Sequence, residues 1–379
     1  MGTTARLFYA DSESNADLYY LTRFLAGDPF LYFEAGGKKT LVLSDLEIDR
    51  GRKEATVHEF LRLQKITEEV KKRYTAAPRD PAVRIGAHIH VLALERDITA
   101  FEVPESFPVA VADVLRGHGL GVRWLPPPFV PERALKTAEE VEHIRRAIGH
   151  TEAAMAAAID RIRKATIRGN RLHEGNEPLT SEQVRMTVHR VLFERDCHTY
   201  EAIVAGGDQA VDPHERGHGP LPANLPIILD IFPRDNATRY HGDMTRTVVR
   251  GRASDEAKRM FLAVGEAKAT AERMLRDGVD GNAVHEAVKK TFVDAKFETG
   301  ERNGRMVGFF HGTGHGLGLQ VHEYPGLGQV PETIRAGHVV TVEPGLYYPG
   351  LGGVRLEDDV LVTATGCTNL CTFPDEFEI

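Results

Sequence analysis

Four carboxylates stand inside apolar segments of the kind that form β-strands, and the chain can fold around them only if each charge finds a partner. Asp230 follows Ile227, Ile228 and Leu229 and precedes Ile231 and Phe232. Asp243 lies in HGDMTRTVV, Glu343 in VVTVEPG and Glu357 in GVRLEDDVLV. Burying such a charge unpaired costs several kcal/mol or forces protonation. An arginine answers the problem for one of them, since Arg355 and Glu357 share a face of an alternating strand. A divalent metal answers it for all.

Two divalent cations balance four carboxylates, so the charge arithmetic favours two ions over one. Oxygen donors with a single imidazole favour manganese, with cobalt or zinc as alternatives, and the lack of cysteine ligands argues against a structural zinc. Two such ions about 3.5–4 Å apart would work as a hydrolytic pair.

The imidazole has an obvious source. The stretch FHGTGHGLGLQVHEYP, Phe310 to Pro325, carries His311, His315 and His322 among glycines at alternating positions. The residues alone do not say which histidine is the ligand. Other motifs fail here. H-E-x-x-H is broken by Gly326, the alternating glycines do not fit the dinucleotide fingerprint, and no G-x-S-x-G elbow is present.

The length of 379 residues predicts two domains. Pro126, Pro127, Pro128 and Pro131 mark a stiff connector. A helix is expected to start after it, with Thr137 and Glu140 as a capping box and Val141, Ile144, Ile148 and Met155 on one face. Thr180 and Gln183 predict a second capped helix. Before the connector, a hairpin turning at Gly36-Gly37 and two short helices are expected. The net charge of -8 argues against a nucleic-acid partner, and no apolar run suits a membrane span or a secretory signal. A cytoplasmic protein is the expectation. Three cysteines make no disulfide framework.

The order of motifs resembles the metallopeptidase family of aminopeptidase P, prolidase and methionine aminopeptidase. The matching segments are ILDIFPRDNATRYHGDMTRT, HGTGHGLGLQVHEYP, TVEPGLYY and GVRLEDDVLVT. The resemblance implies an α/β (α+β) chain. Residues 136–379 would form a pita-bread catalytic domain, with a curved antiparallel sheet and flanking helices. A smaller creatinase-like domain would span residues 1–128, and 129–135 would connect the two. It also implies a dinuclear centre held by Asp230, Asp243, His315, Glu343 and Glu357, all present without substitution. Asp230 would chelate one ion and His315 the other, with Asp243 and Glu357 bridging. Glu343 would add a proton-shuttling role. IVAGGDQAVDPHERGHG brings in His214 beside the substrate, with His311 and His322. Arg355 would orient Glu357 or gate the pocket. The glycines around His315 would let the backbone pass close to metal and substrate.

One departure from the family pattern is the connection IFPRDNATRYHG, longer by about two residues, with Phe232 in place of an expected glycine. It is expected to form a turn outside the metal shell that reshapes the mouth of the site. The resemblance implies a peptidase that cleaves the bond between an N-terminal residue and proline, acting on peptides with proline second. With no visible clamp for a free proline carboxylate, the expectation is an Xaa-Pro aminopeptidase. The alternatives are an Xaa-Pro dipeptidase, a non-catalytic peptide-binding module and hydrolysis of a non-peptide amide. The N-terminal half disfavours methionine aminopeptidase, and the intact ligand set disfavours creatinase. A homodimer is expected from the same two-domain layout.

Overall fold

The computed structural model describes residues 2–74, 80–199 and 201–379. The chain divides into two compact units, Met1–Arg133 and Ala134–Ile379.

The first unit is built on one six-stranded mixed sheet. Its strands are β1 (Thr3–Ala10), β2 (Phe30–Ala35), β3 (Lys38–Leu43), β4 (Glu59–Arg62), β5 (Ile98–Val103) and β6 (Gly121–Trp124), in spatial order β4-β3-β2-β1-β5-β6. β2 and β3 form the expected hairpin, with Gly36 and Gly37 at φ 57 and 77, the left-handed values a tight hairpin turn demands. Residues along β2 alternate between two cores. Leu31 and Phe33 pack with helices α1 (Pro81–Glu95) and α2 (Val109–Gly117), while Phe30 and Tyr32 join Phe24 and Ile48 on the other face. A sheet covered on both faces explains why this strand reads as an unbroken apolar run.

The second unit opens with helix α3 (Ala138–Lys164). Both reciprocal bonds of the Thr137–Glu140 capping box are made, and Val141, Ile144, Ile148 and Met155 are buried. Helix α4 (Ser181–Phe193) starts from the Thr180–Gln183 box in the same way. Of the strands that follow, those that build the site belong to three sheets. β7 (Ile203–Gly206), β8 (Ile227–Ile231) and β9 (Met244–Val248) form an antiparallel set with β8 central.

The other strands that matter for the site are β10 (Gly314–Gly316), β11 (Glu323–Leu327), β12 (Val339–Val342), β13 (Gly345–Tyr348), β14 (Gly352–Arg355), β15 (Asp358–Val362) and β16 (Cys367–Asn369). Five of them pair in the order β11-β10-β12-β15-β16, and β13 and β14 make a separate antiparallel ribbon. Helices α5 (Asp255–Met274) and α6 (Gly281–Asp294) supply Met260, Val264, Val288 and Phe292 to a core shared with Val340, Val342, Leu346 and Val360. Each such fully buried side chain is worth about 1.5–3 kcal/mol relative to exposure.

Two expected continuous strands are interrupted, and the interruptions fall at carboxylates. β12 ends before Glu343-Pro344, because proline has no N–H to continue the ladder. The chain changes sheets between β14 and β15, leaving Leu356 and Glu357 in the gap. Asp243 likewise immediately precedes β9, so of the four only Asp230 sits within a strand.

Candidate active site

Strand pairing brings the carboxylates together. Asp230 lies directly opposite Thr245 in the β8–β9 pair, and the Glu357 amide donates to the Thr245 carbonyl at 3.1 Å. Thr245 is therefore flanked by Asp230 on one side and Glu357 on the other. Asp243 precedes it by two positions. On the neighbouring sheet His315 is in β10, and its amide donates to Thr341 Oγ1 at 3.1 Å. Glu343 closes the set, its amide held by the Thr313 carbonyl at 2.8 Å.

All five side chains line one cavity of about 620 Å³, together with His214, His311, His322 and Arg355. Donor atoms of Asp243, His315 and Glu357 lie within 4.8 Å of one another. His315 Nε2 is 3.3 Å from Glu343 Oε1 and 3.9 Å from Asp243 Oδ2. His315 Nδ1 faces the Gly316 carbonyl at 3.2 Å, which can only accept, so the proton belongs on Nδ1 and Nε2 offers a lone pair to the carboxylates.

The charges are not balanced by protein cations. Burial pushes the Glu343 carboxyl up to about 7, despite the opposing pull of Arg355. Burial, reinforced by Asp230, holds Asp243 well above the usual range, and burial with Asp243 does the same to Glu357. Asp230 Oδ1 and Asp243 Oδ1 are buried with no hydrogen-bond partner. Orphaned carboxylate oxygens beside an imidazole lone pair are what a divalent cation would satisfy, so this donor set fits one or two such ions.

Arg355 departs from its expected partner. Its Nη2 donates to Asp230 Oδ2 at 2.6 Å, not to Glu357. Its Nε reaches Thr245 Oγ1 at 3.2 Å, and that hydroxyl donates to Glu357 Oε2 at 2.7 Å. The reason is the sheet change after Arg355, which breaks the alternation that would have put Arg355 and Glu357 on one face. Nη1 donates to the Tyr347 hydroxyl at 3.0 Å.

That hydroxyl in turn faces His311 Nε2 at 2.9 Å, while His311 Nδ1 donates to the Gly312 carbonyl at 2.7 Å. Both ring nitrogens of His311 are thus occupied within the protein. Burial, with Arg355, lowers its pKa to about 3 and keeps it neutral. His311 lines the cavity, but it braces Tyr347 instead of offering a free nitrogen to substrate, as had been expected. His322 and His214 are exposed at the cavity, and the His322 ring meets His315 edge-on at 4.3 Å.

Two glycines of the histidine stretch, Gly314 and Gly316, answer to neighbouring backbone. A Cβ on Gly314 would stand 1.9 Å from the Thr341 carbonyl oxygen, and one on Gly316 would stand 2.6 Å from that of Tyr324. Close strand approach therefore sets this sequence. The Glu323 of the failed zinc motif is turned away, paired with buried Lys136 at 3.0 Å. In the long connection after β8, Phe232 lines the cavity, while Asp235 ties the loop to α3 through Arg146 and His150.

A family model described as Metallopeptidase family M24 matches residues 142–364. This chain belongs to that family. Membership implies divalent metal ions at the centre and the hydrolytic chemistry of the metallopeptidases that give the family its description. The Xaa-Pro dipeptidase of Pyrococcus furiosus is 30% identical over 247 residues, a stretch covering 63% of this chain and 63% of that protein. Among solved structures, an Xaa-Pro dipeptidase from Bacillus anthracis superposes with a TM-score of 0.79 at 21% identity, covering 100% of this chain and 95% of the other. An X-Pro aminopeptidase from Thermotoga maritima gives 0.78 at 20% identity, covering 100% and 98%. The fold is that of the pita-bread metallopeptidases. No helix among the described residues is long and apolar enough to cross a membrane.

Several side chains at the site had not been singled out. Thr245 follows Asp243 by two residues and Asp359 follows Glu357 by two, a period-2 spacing that could have nominated both. Asp359 Oδ2 accepts from the Asp243 amide at 2.9 Å. Tyr347, Glu201 and Arg216 carry no comparable signal, since they reach the site through tertiary contacts alone.

Proposed function

We propose that this M24 peptidase is an Xaa-Pro dipeptidase, with Asp230, Asp243, His315, Glu343 and Glu357 holding two divalent ions, manganese by preference. The observation that carries the catalytic half of this reading is the exposure of all five donors to one cavity, with two of their oxygens lacking any partner. The choice of dipeptidase over the aminopeptidase expected from sequence draws on the relative at 30% identity, which is named an Xaa-Pro dipeptidase.

When bound, the ions would supply Lewis acidity and an activated water. The chain does the rest. Glu343, at the cavity wall, takes a proton from the attacking water and returns it to the departing proline nitrogen. His322 and His214, which line the cavity, would donate an N–H to the developing oxyanion. Arg355 fixes Asp230 directly and Glu357 through Thr245, so both carboxylates keep their orientation as charge moves. Phe232 and Phe310 give the proline ring an apolar wall.

An aminopeptidase that accepts longer peptides is the second reading, supported by the likeness of fold to the Thermotoga maritima enzyme. One assay separates them. The metal-loaded protein is given an Xaa-Pro dipeptide and the matching Xaa-Pro-Xaa tripeptide. A dipeptidase shows a kcat/KM ratio of about tenfold or more in favour of the dipeptide, equivalent to about 1.4 kcal/mol of transition-state preference. A ratio near one or reversed rejects the dipeptidase.

A further inference from the structure

The cavity holds two permanent cations among its described lining residues, and only one of them is exposed with most of its hydrogen bonds unused. Arg355 is spent on Asp230, Thr245 and Tyr347. Arg216 is different. Its guanidinium meets one protein group, Glu201 Oε1 at 3.3 Å from Nη1, and the two side chains are 45% and 59% exposed. A guanidinium carries five N–H donors in a planar fork, so Nε and Nη2 remain free for a second carboxylate.

The backbone beneath Arg216 is fixed relative to the metal-binding strand. Ile203 of β7 lies directly opposite Asp230, and the amide of the next residue, Val204, donates to the Arg216 carbonyl at 3.0 Å. Arg216 therefore sits one backbone bond beyond the strand that flanks Asp230, roughly two strand widths away at about 4.8 Å each. Gly217, at φ 78, makes this approach possible, since a Cβ there would be 1.9 Å from the Val204 carbonyl oxygen. Arg185 of helix α4 clamps the same turn, donating to the Arg216 carbonyl and, at 2.6 Å, to that of Gly217. The loop is anchored, and the side chain at its tip is held by Glu201.

The surroundings make a positive group there consequential. Besides the five donors, the lining includes Glu201 and Asp212, both exposed carboxylates. The Asp212 carboxylate accepts from the His214 amide at 3.2 Å and pairs with no cation among the described residues. A substrate that ends in a carboxylate would meet two like charges at this mouth unless a cation intervened. A free dipeptide is such a substrate, because its terminal carboxylate lies one residue beyond the scissile bond.

We propose that Arg216 is the residue that receives the C-terminal carboxylate of the substrate, with Glu201 holding its guanidinium in place from the other side. Arg216 is then the specificity determinant for dipeptides, supplying the carboxylate clamp that no sequence motif revealed. This rests on the dipeptidase reading above, and it predicts that the enzyme distinguishes an Xaa-Pro acid from its C-terminal amide.

The test compares the metal-loaded wild type, Arg216→Ala and Arg216→Lys on three substrates: an Xaa-Pro dipeptide, the same dipeptide as its amide, and the matching tripeptide. Losing a charge-assisted hydrogen bond should lower kcat/KM of Arg216→Ala for the acid by about tenfold or more, chiefly through KM. The amide should change by no more than about twofold, the scale of a surface substitution away from any contact. Arg216→Lys should retain an intermediate preference, since an ammonium keeps the charge but not the fork. Calorimetry gives a readout apart from turnover: wild type should bind L-proline more tightly than L-prolinamide, and Arg216→Ala should lose that difference. Equal losses on acid and amide, or none on the acid, overturn the assignment of Arg216. A wild type that prefers the tripeptide overturns the dipeptidase reading itself, whatever the variants do.

Discussion

Arg355 Nη2 donates to Asp230 Oδ2 at 2.6 Å, and the other oxygen of Asp230 is left buried without a partner. One carboxylate thus commits one oxygen to a protein cation and leaves the other unpaired. Arg355 also carries Thr245 and Tyr347, so its five donors organise the wall of the site from below. Burial works against its charge, but Tyr347 and Asp230 outweigh that and hold its proton more firmly than usual.

Removing Arg355 strands a buried carboxylate. Arg355→Ala should destabilise the metal-free protein by about 3–5 kcal/mol, the cost of breaking one side of a buried pair. Arg355→Lys should fare little better, because one ammonium cannot span three partners. In the metal-loaded state kcat/KM should fall by about 10²-fold through misplaced Asp230 and Glu357. Melting curves with and without metal, alongside kinetics, check both halves. Unchanged values would reduce Arg355 to a bystander.

Glu343→Gln keeps the size of the side chain and removes the proton acceptor. We expect kcat to fall by at least about 10²-fold. Elemental analysis must accompany the assay, since the substitution also removes a ligand charge. Near-normal kcat with ions still bound would take Glu343 out of the chemistry.

Metal and pH should be linked. Glu343 rises from the ordinary 4.5 to about 7 in the metal-free fold, chiefly by burial, and Asp243 and Glu357 shift the same way. A raised acid leaves the folded state holding more protons than the unfolded one. The stability associated with it is therefore full below about 4.5 and is lost as pH climbs through 7, about 3 kcal/mol from Glu343 alone. Metal binding needs the ionised forms, so affinity grows over the same window. His241 and His311, lowered to about 4 and about 3 mainly by burial, act oppositely and lose stability as pH falls below 6.5. Those two terms are common to both forms. The gap between metal-loaded and metal-free melting temperatures should widen from pH 5 to pH 8. A gap constant across that range would mean the carboxylates are already ionised without metal.

The sequence exposed the ligand candidates because buried charge is costly and therefore conspicuous. Asp230 among Ile227, Ile228 and Leu229 needs no structure to look anomalous. Helix starts were equally legible, since Thr137 and Thr180 satisfy orphan amides by local bonds alone. What could not be read were relations set by sheet geometry. Arg355 and Glu357 alternate correctly on paper, yet the chain changes sheets between them, and the arginine meets a residue 125 positions away. Arg216 was invisible for a similar reason, as its place depends on a turn packed against β7 from outside. The glycines beside His315 were noticed, but their cause, backbone contact at Thr341 and Tyr324, lies in other segments.

Asp359 offers the sharpest test of how the site is held. Its Oδ2 accepts from the Asp243 amide at 2.9 Å, it lies opposite Thr341 in the β12–β15 pair, and its other oxygen has no partner. It thus holds Asp243 directly and lies opposite Thr341, whose hydroxyl accepts from the His315 amide. Partners of metal ligands typically contribute about 10–100-fold to metal affinity. Asp359→Ala should weaken divalent-ion binding on that scale, measured by competition with a chromophoric chelator. Asp359→Asn keeps an oxygen for the Asp243 amide while removing one negative charge, so its loss should be smaller. If both variants weaken binding equally, the charge of Asp359 matters and its hydrogen bond does not. If neither does, Asp243 is held by its strand alone.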